Sequence, residues 1–169
     1  YIVTCHGLEI LPQNIKKYKK IIYQEVLDNA MVITADSNYT KKLILEGFNV
    51  PNNKIIIVNP GVSINKFNKP HIKHEKIIIG SLSRLVERKN IVNIIRGLEL
   101  LHKKIPGKFI YYLAGEGSAK LTILSKLKKV SFEWKYFGEI TDNEKINIFY
   151  PSLDIFVLPT LSLQDSIEG

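Results

Sequence analysis

The sequence contains one cysteine, Cys5, one methionine and one tryptophan among its 169 residues. A single cysteine cannot form a disulfide within the chain, which excludes a disulfide-stapled fold and favours a reducing compartment. No apolar run reaches the roughly 20 residues that a membrane-spanning helix needs. The first residues also lack the basic start and small-residue cleavage site of a signal peptide. These absences predict a globular, cytoplasmic protein.

Acidic residues are also scarce. Asp and Glu number 16 against 24 Lys and Arg, which gives a net charge of +8 and a pI of about 9.4. This excess favours anionic partners such as nucleotide diphosphates, acidic lipids or nucleic acid. No nucleic-acid-binding motif and no basic strand studded with aromatic residues is present, so we expect no nucleic-acid partner. His71 and His74 have no Cys or carboxylate at ligand spacing, and we expect no metal site.

Apolar periodicity predicts short β-branched strands that alternate with amphipathic helices. The predicted strands are 1–4, 31–35, 54–58, 76–80, 109–114, 132–137 and 154–158, the last one buried on both faces. The predicted helices are 14–29, a helix capped by Ser37 and ended by Gly47, 90–104, 121–129, and a helix begun by a capping box of Thr141 and Glu144. Strands joined by such helices require right-handed crossovers, so we expect parallel sheets in Rossmann-like layers.

A polar stretch of Asn, Lys, His and Pro over residues 63–75 is the candidate linker between two such layers. We place the first unit at residues 1–70 and the second at residues 71–169. Each unit has too few strands for a closed doubly wound domain and would leave open sheet edges. The sequence is therefore expected to be part of a longer polypeptide.

Ligands of open parallel sheets bind beyond the carboxyl ends of the strands. The loop after strand 76–80 carries Arg84 and Lys89 ahead of a helix, an arrangement suited to a diphosphate. Taken alone, the pair is better explained as two solvated surface cations, as most Lys and Arg residues are. The Gly115-Glu116-Gly117 turn and Gly138 follow the next two strands and allow either close approach of a ligand or a tight turn.

Six motifs occur in a recognisable order along nearly the whole chain. They are Thr4-Cys5-His6-Gly7, Asn59-Pro60-Gly61-Val62, Arg84 with Lys89, Leu113-Ala114-Gly115-Glu116-Gly117, Phe137-Gly138-Glu139, and the run from Asp154 to Pro159 that ends in Glu168-Gly169. The sequence thus resembles the retaining glycosyltransferases of group 1, which have the GT-B fold. The resemblance implies an α/β protein with two incomplete Rossmann-like domains, the end of an acceptor-binding domain followed by the start of a donor-binding domain.

The resemblance also implies a function. It predicts transfer of a hexose from a UDP- or GDP-sugar to a glycan or lipid-linked acceptor, with retention and without a metal, in the synthesis of surface polysaccharide or glycolipid. Arg84 and Lys89 would grip the donor diphosphate, Glu168 would contact the donor sugar, and His6 would face the donor from the acceptor domain. Three glycines, Gly115, Gly117 and Gly138, would shape the nucleotide pocket. The backbone at Glu139 and Ile140 would contact the nucleotide base.

Several points depart from this picture or stay open. Ser83 stands where the family usually has Gly, which could crowd the phosphate loop. A nucleotide-sugar epimerase of the same fold, or a non-catalytic binding fragment, would share the donor loops. Lys16, Lys17, Lys19 and Lys20 could dock the protein on anionic lipid at the inner face of the membrane, or simply form a solvated helix face.

Overall fold

A computed structural model describes residues 1–7, 15–64 and 69–161. The chain divides into two compact units, Tyr1–Val62 and Ser63–Gly169. This division falls at the start of the polar stretch 63–75, earlier than the boundary at residue 70 predicted from the sequence. The later part of that stretch lies against the second unit: Ile72 N donates to Pro151 O at 2.7 Å, and His71 Nε2 lies 3.3 Å from Asp154 Oδ1.

The first unit is a parallel sheet with helices between its strands. The strands are β1 (Ile2–Cys5), β2 (Val32–Ala35) and β3 (Ile55–Ile57), in the order β1-β2-β3. The connecting helices are α1 (Lys17–Asn29) and α2 (Asn38–Gly47), and a 3-10 turn, Asn52–Lys54, precedes β3. The predicted start of α1 at Asn14 lies outside the described residues. Ile33, Ala35 and Ile44 are fully buried in this unit, as β-branched and apolar strand and helix positions predict.

Side chains fix both helices of the first unit at their ends. Ser37 caps α2 as predicted, because its Oγ accepts a hydrogen bond from Thr40 N at 3.1 Å. At the C-terminal end of α1, Lys54 Nζ donates to the carbonyl oxygens of Leu27 at 2.8 Å and Asp28 at 2.7 Å. A lysine ammonium is well suited to the last carbonyls of a helix, which lack partners within the helix.

The second unit contains four parallel strands in the order β6-β5-β4-β7. They are β4 (Ile77–Leu82), β5 (Phe109–Ala114), β6 (Glu133–Tyr136) and β7 (Ile155–Phe156). Helix α3 (Ile91–Lys104) follows β4, and α4 (Lys120–Leu127) follows β5. After β6, α5 (Asp142–Glu144) continues as a π turn (Lys145–Phe149) and a 3-10 turn (Tyr150–Ser152). The largest fully buried side chains of this unit include Tyr111, Phe109, Phe149, Leu85, Ile91 and Leu113.

The strand order of the second unit reverses at β4. The chain moves outward from β4 through β5 to β6 and then returns to pair β7 with the other side of β4. In open parallel sheets such a reversal opens a crevice at the carboxyl ends of the strands, and ligands bind there. The prediction of an α/β chain with two parallel sheets is confirmed. From this topology we expect the ligand to bind at the loops that follow β4, β5 and β6.

Two local predictions for the second unit had opposite outcomes. The capping box is confirmed, since Thr141 Oγ1 accepts from Glu144 N at 3.2 Å and Glu144 Oε2 accepts from Thr141 N at 2.7 Å. The prediction that 154–158 is a strand buried on both faces is wrong. Only Ile155 and Phe156 are extended in the sheet, and they are 48% and 47% exposed. Hydrophobicity alone does not distinguish a central strand from one at the edge of the described sheet.

Ser37 provides a test of the first unit. Ser37→Ala removes the side-chain acceptor from the start of α2 and should lower the free energy of unfolding by about 1 kcal/mol. Urea denaturation followed by circular dichroism measures the change. Asn38→Ala, at the adjacent first helical position, is the matched control and should change stability by less than about 0.5 kcal/mol. Equal effects of the two substitutions would contradict the capping role.

Candidate functional site

The loops that follow β4, β5 and β6 are joined by backbone hydrogen bonds at the carboxyl edge of the second sheet. Leu85 N donates to Glu116 O at 2.8 Å, and Ala119 N donates to Leu85 O at 2.8 Å. Gly115 N donates to Gly138 O at 2.7 Å. The loop after β5 therefore lies between the other two and fixes the position of each.

The glycines of the β5 loop are required by this contact between loops. Gly115 has φ +122°, and a Cβ at this position would lie 1.9 Å from Ser83 O. A Cβ on Gly117 would lie 2.5 Å from Leu85 O. The backbone of the β4 loop thus occupies the space that side chains would need. Gly115 also lines the cavity described next, but the geometric need for glycine here comes from loop packing.

A cavity of about 330 Å³ opens among these loops. Its lining residues come from the β4 loop, the β5 loop, the β6 loop and the helical segment that follows them, and they are Leu82, Ser83, Arg84, Gly115, Glu116, Glu139, Ile140, Lys145 and Tyr150. Four of these nine, Arg84, Gly115, Glu139 and Ile140, were predicted from the sequence as donor contacts. The structure therefore brings Arg84 together with the expected base-reading segment.

Arg84 and Lys89 occupy different positions around this cavity. Arg84 is exposed at the cavity wall. Lys89 is half-buried at the end of a 3-10 turn, Glu87–Lys89, and does not belong to the cavity lining. Its pKa is lowered, first by burial and then by the positive charges of Arg88 and Arg84. The charge of Arg84 is thus the smallest of the three causes that lower the pKa of Lys89.

Asn90 turns the chain from Lys89 into α3. It has φ +57° and is the one non-glycine residue with a positive φ in the described parts of the chain. Asn tolerates this left-handed conformation better than most residues. This turn ends the loop that carries Arg84 and Lys89. Helix α3 then begins at Ile91, two residues after Lys89.

One lining residue, Glu116, belongs to a charged cluster beside the cavity. Glu116 Oε1 accepts from Lys120 Nζ at 2.7 Å and from Tyr136 Oη at 2.8 Å. Tyr136 Oη also lies 2.8 Å from Gly115 O. The hydrogen bonds from Lys120 and Tyr136 lower the pKa of Glu116, and the bond to Glu116 raises the pKa of Lys120. Both groups are consequently charged at neutral pH.

The remaining predicted residues lie outside this cavity. Gly117 and Gly138 shape the loops through positive φ angles of 157° and 71° without lining the cavity. His6 belongs to the first unit, where its side chain is 71% exposed and its Nδ1 lies 3.8 Å from Asp36 Oδ2. Asp36 in turn accepts a hydrogen bond from Ser37 Oγ at 3.1 Å. Glu168 lies outside the described residues.

Sequence reasoning did not assign the other five lining residues as donor contacts, namely Leu82, Ser83, Glu116, Lys145 and Tyr150. Lys145 and Tyr150 come from the segment after α5, and no motif marks them because only tertiary packing brings that segment to the cavity. Glu116 was noted only as the middle residue of a glycine turn. Its partner Lys120 lies four residues later, a spacing that could have indicated the ion pair.

Comparisons with known proteins identify the family. A family model described as "Glycosyl transferases group 1" matches residues 62–169. Since this match covers more than half of the chain, the protein belongs to the group 1 glycosyltransferases. No curated protein sequence gives a significant match.

Solved structures agree on the fold. The Anabaena protein HepE, in complex with UDP and glucose, is similar with a TM-score of 0.72 and 12% identity over 94% of this chain and 46% of its own. A glycosyltransferase from Rickettsia africae has a TM-score of 0.72 and 23% identity over 94% of this chain and 45% of its own. TarM from S. aureus has a TM-score of 0.66 and 23% identity over 86% of this chain and 28% of its own. The chain therefore spans less than half the length of these structures and shares a GT-B-like fold with them.

Two further features bear on membrane and metal chemistry. Among the helices that the structure describes, none is long and apolar enough to cross a bilayer. Within residues 1–7, 15–64 and 69–161, no group of three His, Cys, Asp or Glu residues could hold a metal ion. Metal independence remains a prediction from the family resemblance.

Gly115 provides the test of the loop packing. Gly115→Ala should destabilise the protein by more than about 2 kcal/mol, because the new methyl group meets Ser83 O at a positive φ. The change is measured by thermal and urea unfolding. Gly97→Ala is the matched control, since Gly97 lies exposed in α3 with open space around its Cα. It should stabilise the protein by up to about 1 kcal/mol. Similar effects at both positions would contradict the proposed contact.

Proposed function

We propose that the complete protein transfers a hexose from a UDP- or GDP-sugar to a glycan or lipid-linked acceptor, with retention and without a metal. Membership of the group 1 family supports the reaction type. The observation that carries the proposal is the position of Arg84, at the wall of a cavity beyond the carboxyl ends of β4, β5 and β6. This is where an open parallel sheet binds its ligand.

The cavity suits part of a nucleotide sugar. Its volume of about 330 Å³ lies at the lower end of the usual range for small-molecule sites. We infer that the base lies against Glu139 and Ile140, where backbone groups can read its edge, and that the diphosphate lies towards Arg84 and Lys89. HepE in complex with UDP and glucose, and TarM in complex with UDP, support a nucleotide-sugar donor.

The two cations give the site its proposed chemistry. When the bond between the sugar C1 and the β-phosphate oxygen breaks, negative charge develops on the departing diphosphate. Positive groups that are already in place stabilise this charge more in the transition state than in the ground state. Arg84 would contact the diphosphate directly, and Lys89 would add charge from the turn behind it. The oxygen of the acceptor hydroxyl then bonds to C1 on the face that the diphosphate left, and the hydroxyl proton passes to the departing β-phosphate oxygen.

Two predicted residues that lie outside the cavity have proposed roles of their own. Exposure of His6 at the carboxyl end of β1 supports a role in contacting the substrate from the acceptor domain. Asp36 lies beside it and would orient its ring. Glu168 is assigned to the hydroxyl groups of the donor sugar on the family resemblance alone. The domain roles follow the same proposal, with acceptor binding in the first unit and donor binding in the second.

Arg84 provides the test of this function. In the complete enzyme, Arg84→Ala should lower kcat by about 10²-fold or more, by analogy with the loss of one oxyanion-hole donor. Steady-state kinetics with UDP- and GDP-hexoses measure the change. Arg96→Ala is the matched control, because Arg96 is an exposed arginine on α3 that donates a hydrogen bond to Asn93 on the same helix. Near-normal turnover by the Arg84 variant would reject its role.

Product analysis separates the proposed transferase from a related epimerase. A retaining transferase forms a new glycosidic bond with the anomeric configuration of the donor, which NMR spectroscopy of the product identifies. An epimerase would return an altered sugar without consuming an acceptor. Nucleotide binding with no product of either kind would instead favour a non-catalytic binding protein.

A lipid-linked acceptor would place the enzyme at the inner face of the membrane, and the surface of α1 supports such contact. Lys16, Lys17, Lys19 and Lys20 are exposed at the start of this helix. The apolar side chains of Tyr18, Ile21 and Ile22 are 57%, 67% and 53% exposed among them. Lysines around exposed apolar groups match the charge and the shallow apolar layer of an anionic membrane surface.

Liposome flotation tests this contact. Vesicles with acidic lipid should bind the protein in a salt-sensitive manner, and Lys17→Gln with Lys20→Gln should reduce the partition coefficient about tenfold or more. The matched control replaces Lys126 and Lys129, two exposed lysines of the second unit, in the same way. Equal binding to neutral and acidic vesicles would contradict the membrane role.

A further inference from the structure

Two carboxylates, those of Glu116 and Glu139, line the cavity in which a diphosphate is proposed to bind. Glu116 shares the lining with Arg84, and its pKa is lowered, so it is ionised at neutral pH. An isolated carboxylate at this position would repel an anionic ligand across a distance shorter than the screening length of physiological salt, about 8 Å. The site therefore needs an arrangement that offsets the charge of Glu116.

Lys120 and Tyr136 provide that arrangement. The Lys120 ammonium and the Tyr136 hydroxyl both contact Glu116 Oε1, at 2.7 and 2.8 Å. Lys120 Nζ also lies 5.5 Å from the centre of the Tyr136 ring, within cation–π range. One carboxylate oxygen thus receives both contacts, and the lysine side chain is held beside the phenol ring.

The same cluster supports the loop that carries Arg84. Tyr136 Oη is 2.8 Å from Gly115 O, and the backbone oxygen of Glu116 accepts the N–H of Leu85, the residue after Arg84. The cluster is partly exposed, with side-chain exposures of 41% for Glu116 and 35% for Lys120. Exposed ion pairs contribute little to stability, so stability alone does not account for its place at the cavity wall.

We propose that Lys120, together with Tyr136, neutralises and orients Glu116 and thereby sets the affinity of the cavity for the donor diphosphate. Lys120 is then a positioning residue that acts through Glu116 and does not touch the donor. This inference rests on the proposed donor site, and it adds a charge balance that neither the family motifs nor the predicted contacts include.

The proposal predicts a specific pattern of anion affinity. In the full-length protein, Lys120→Gln should weaken the binding of UDP, GDP and inorganic pyrophosphate about fivefold to tenfold at low salt, and less at high salt. Lys120→Arg should retain near-normal affinity because it keeps the charge. Glu116→Gln combined with Lys120→Gln should restore binding, since the carboxylate that Lys120 neutralises is then absent. Isothermal titration calorimetry at two salt concentrations measures all of these values.

Two further variants guard against indirect effects. Lys126→Gln removes the same charge from an exposed position of the same helix and should leave anion affinity within about twofold of the wild type. Tyr136→Phe removes only the hydroxyl and should weaken anion binding in the same direction as Lys120→Gln. It therefore tests the cluster even if Lys120→Gln fails to fold, which thermal melting would reveal.

The outcomes separate this inference from the proposed function. Equal affinity of wild type, Lys120→Gln and Tyr136→Phe overturns the inference alone. A double variant as weak as Lys120→Gln also overturns it, because Lys120 would then not act through Glu116. Binding of pyrophosphate that depends on Lys120, with no binding of UDP or GDP, supports the charge balance and rejects the nucleotide-sugar function. Absence of binding to all three probes rejects both.

Discussion

The candidate site depends on one close approach, between the backbone of Ser83 and that of Gly115. Because Gly115 has no side chain, the loop after β4 rests directly on the loop after β5, and Leu85 N reaches Glu116 O. The β5 loop also bonds to the β6 loop through Gly115 N and Gly138 O. The strand ends thus form one continuous support for the loop that carries Arg84.

Charges of both signs surround the cavity built on this support. Arg84 and Lys145 contribute positive charge, and Glu116 and Glu139 contribute negative charge. Lys145 is itself engaged by Asp142, whose Oδ1 lies 2.8 Å from its Nζ. A site of this composition can distinguish ligands by where their charge lies, whereas a uniformly basic surface would attract any anion. The net charge of the chain consequently describes its partners only in general terms.

Local sequence patterns specified much of the fold. Strand and helix periodicity, the Ser37 cap and the Thr141–Glu144 capping box all correspond to observed elements, because each depends on neighbours within a few residues. Arg84 could be placed at the sheet edge because a parallel sheet brings the carboxyl ends of its strands together. The exposure of β7 and the arrival of Lys145 and Tyr150 could not be predicted, since both depend on which elements pack together in space.

The contact between the backbone of Ser83 and Gly115 determines which substitutions the two loops can accommodate. The close approach uses the carbonyl oxygen of Ser83, whereas its hydroxyl donates to Arg84 O at 3.1 Å. Serine in place of the usual glycine therefore leaves the packing of the loops intact. A different small side chain at position 83 would change the lining of the cavity, whereas any side chain at Gly115 would collide with the carbonyl oxygen of Ser83.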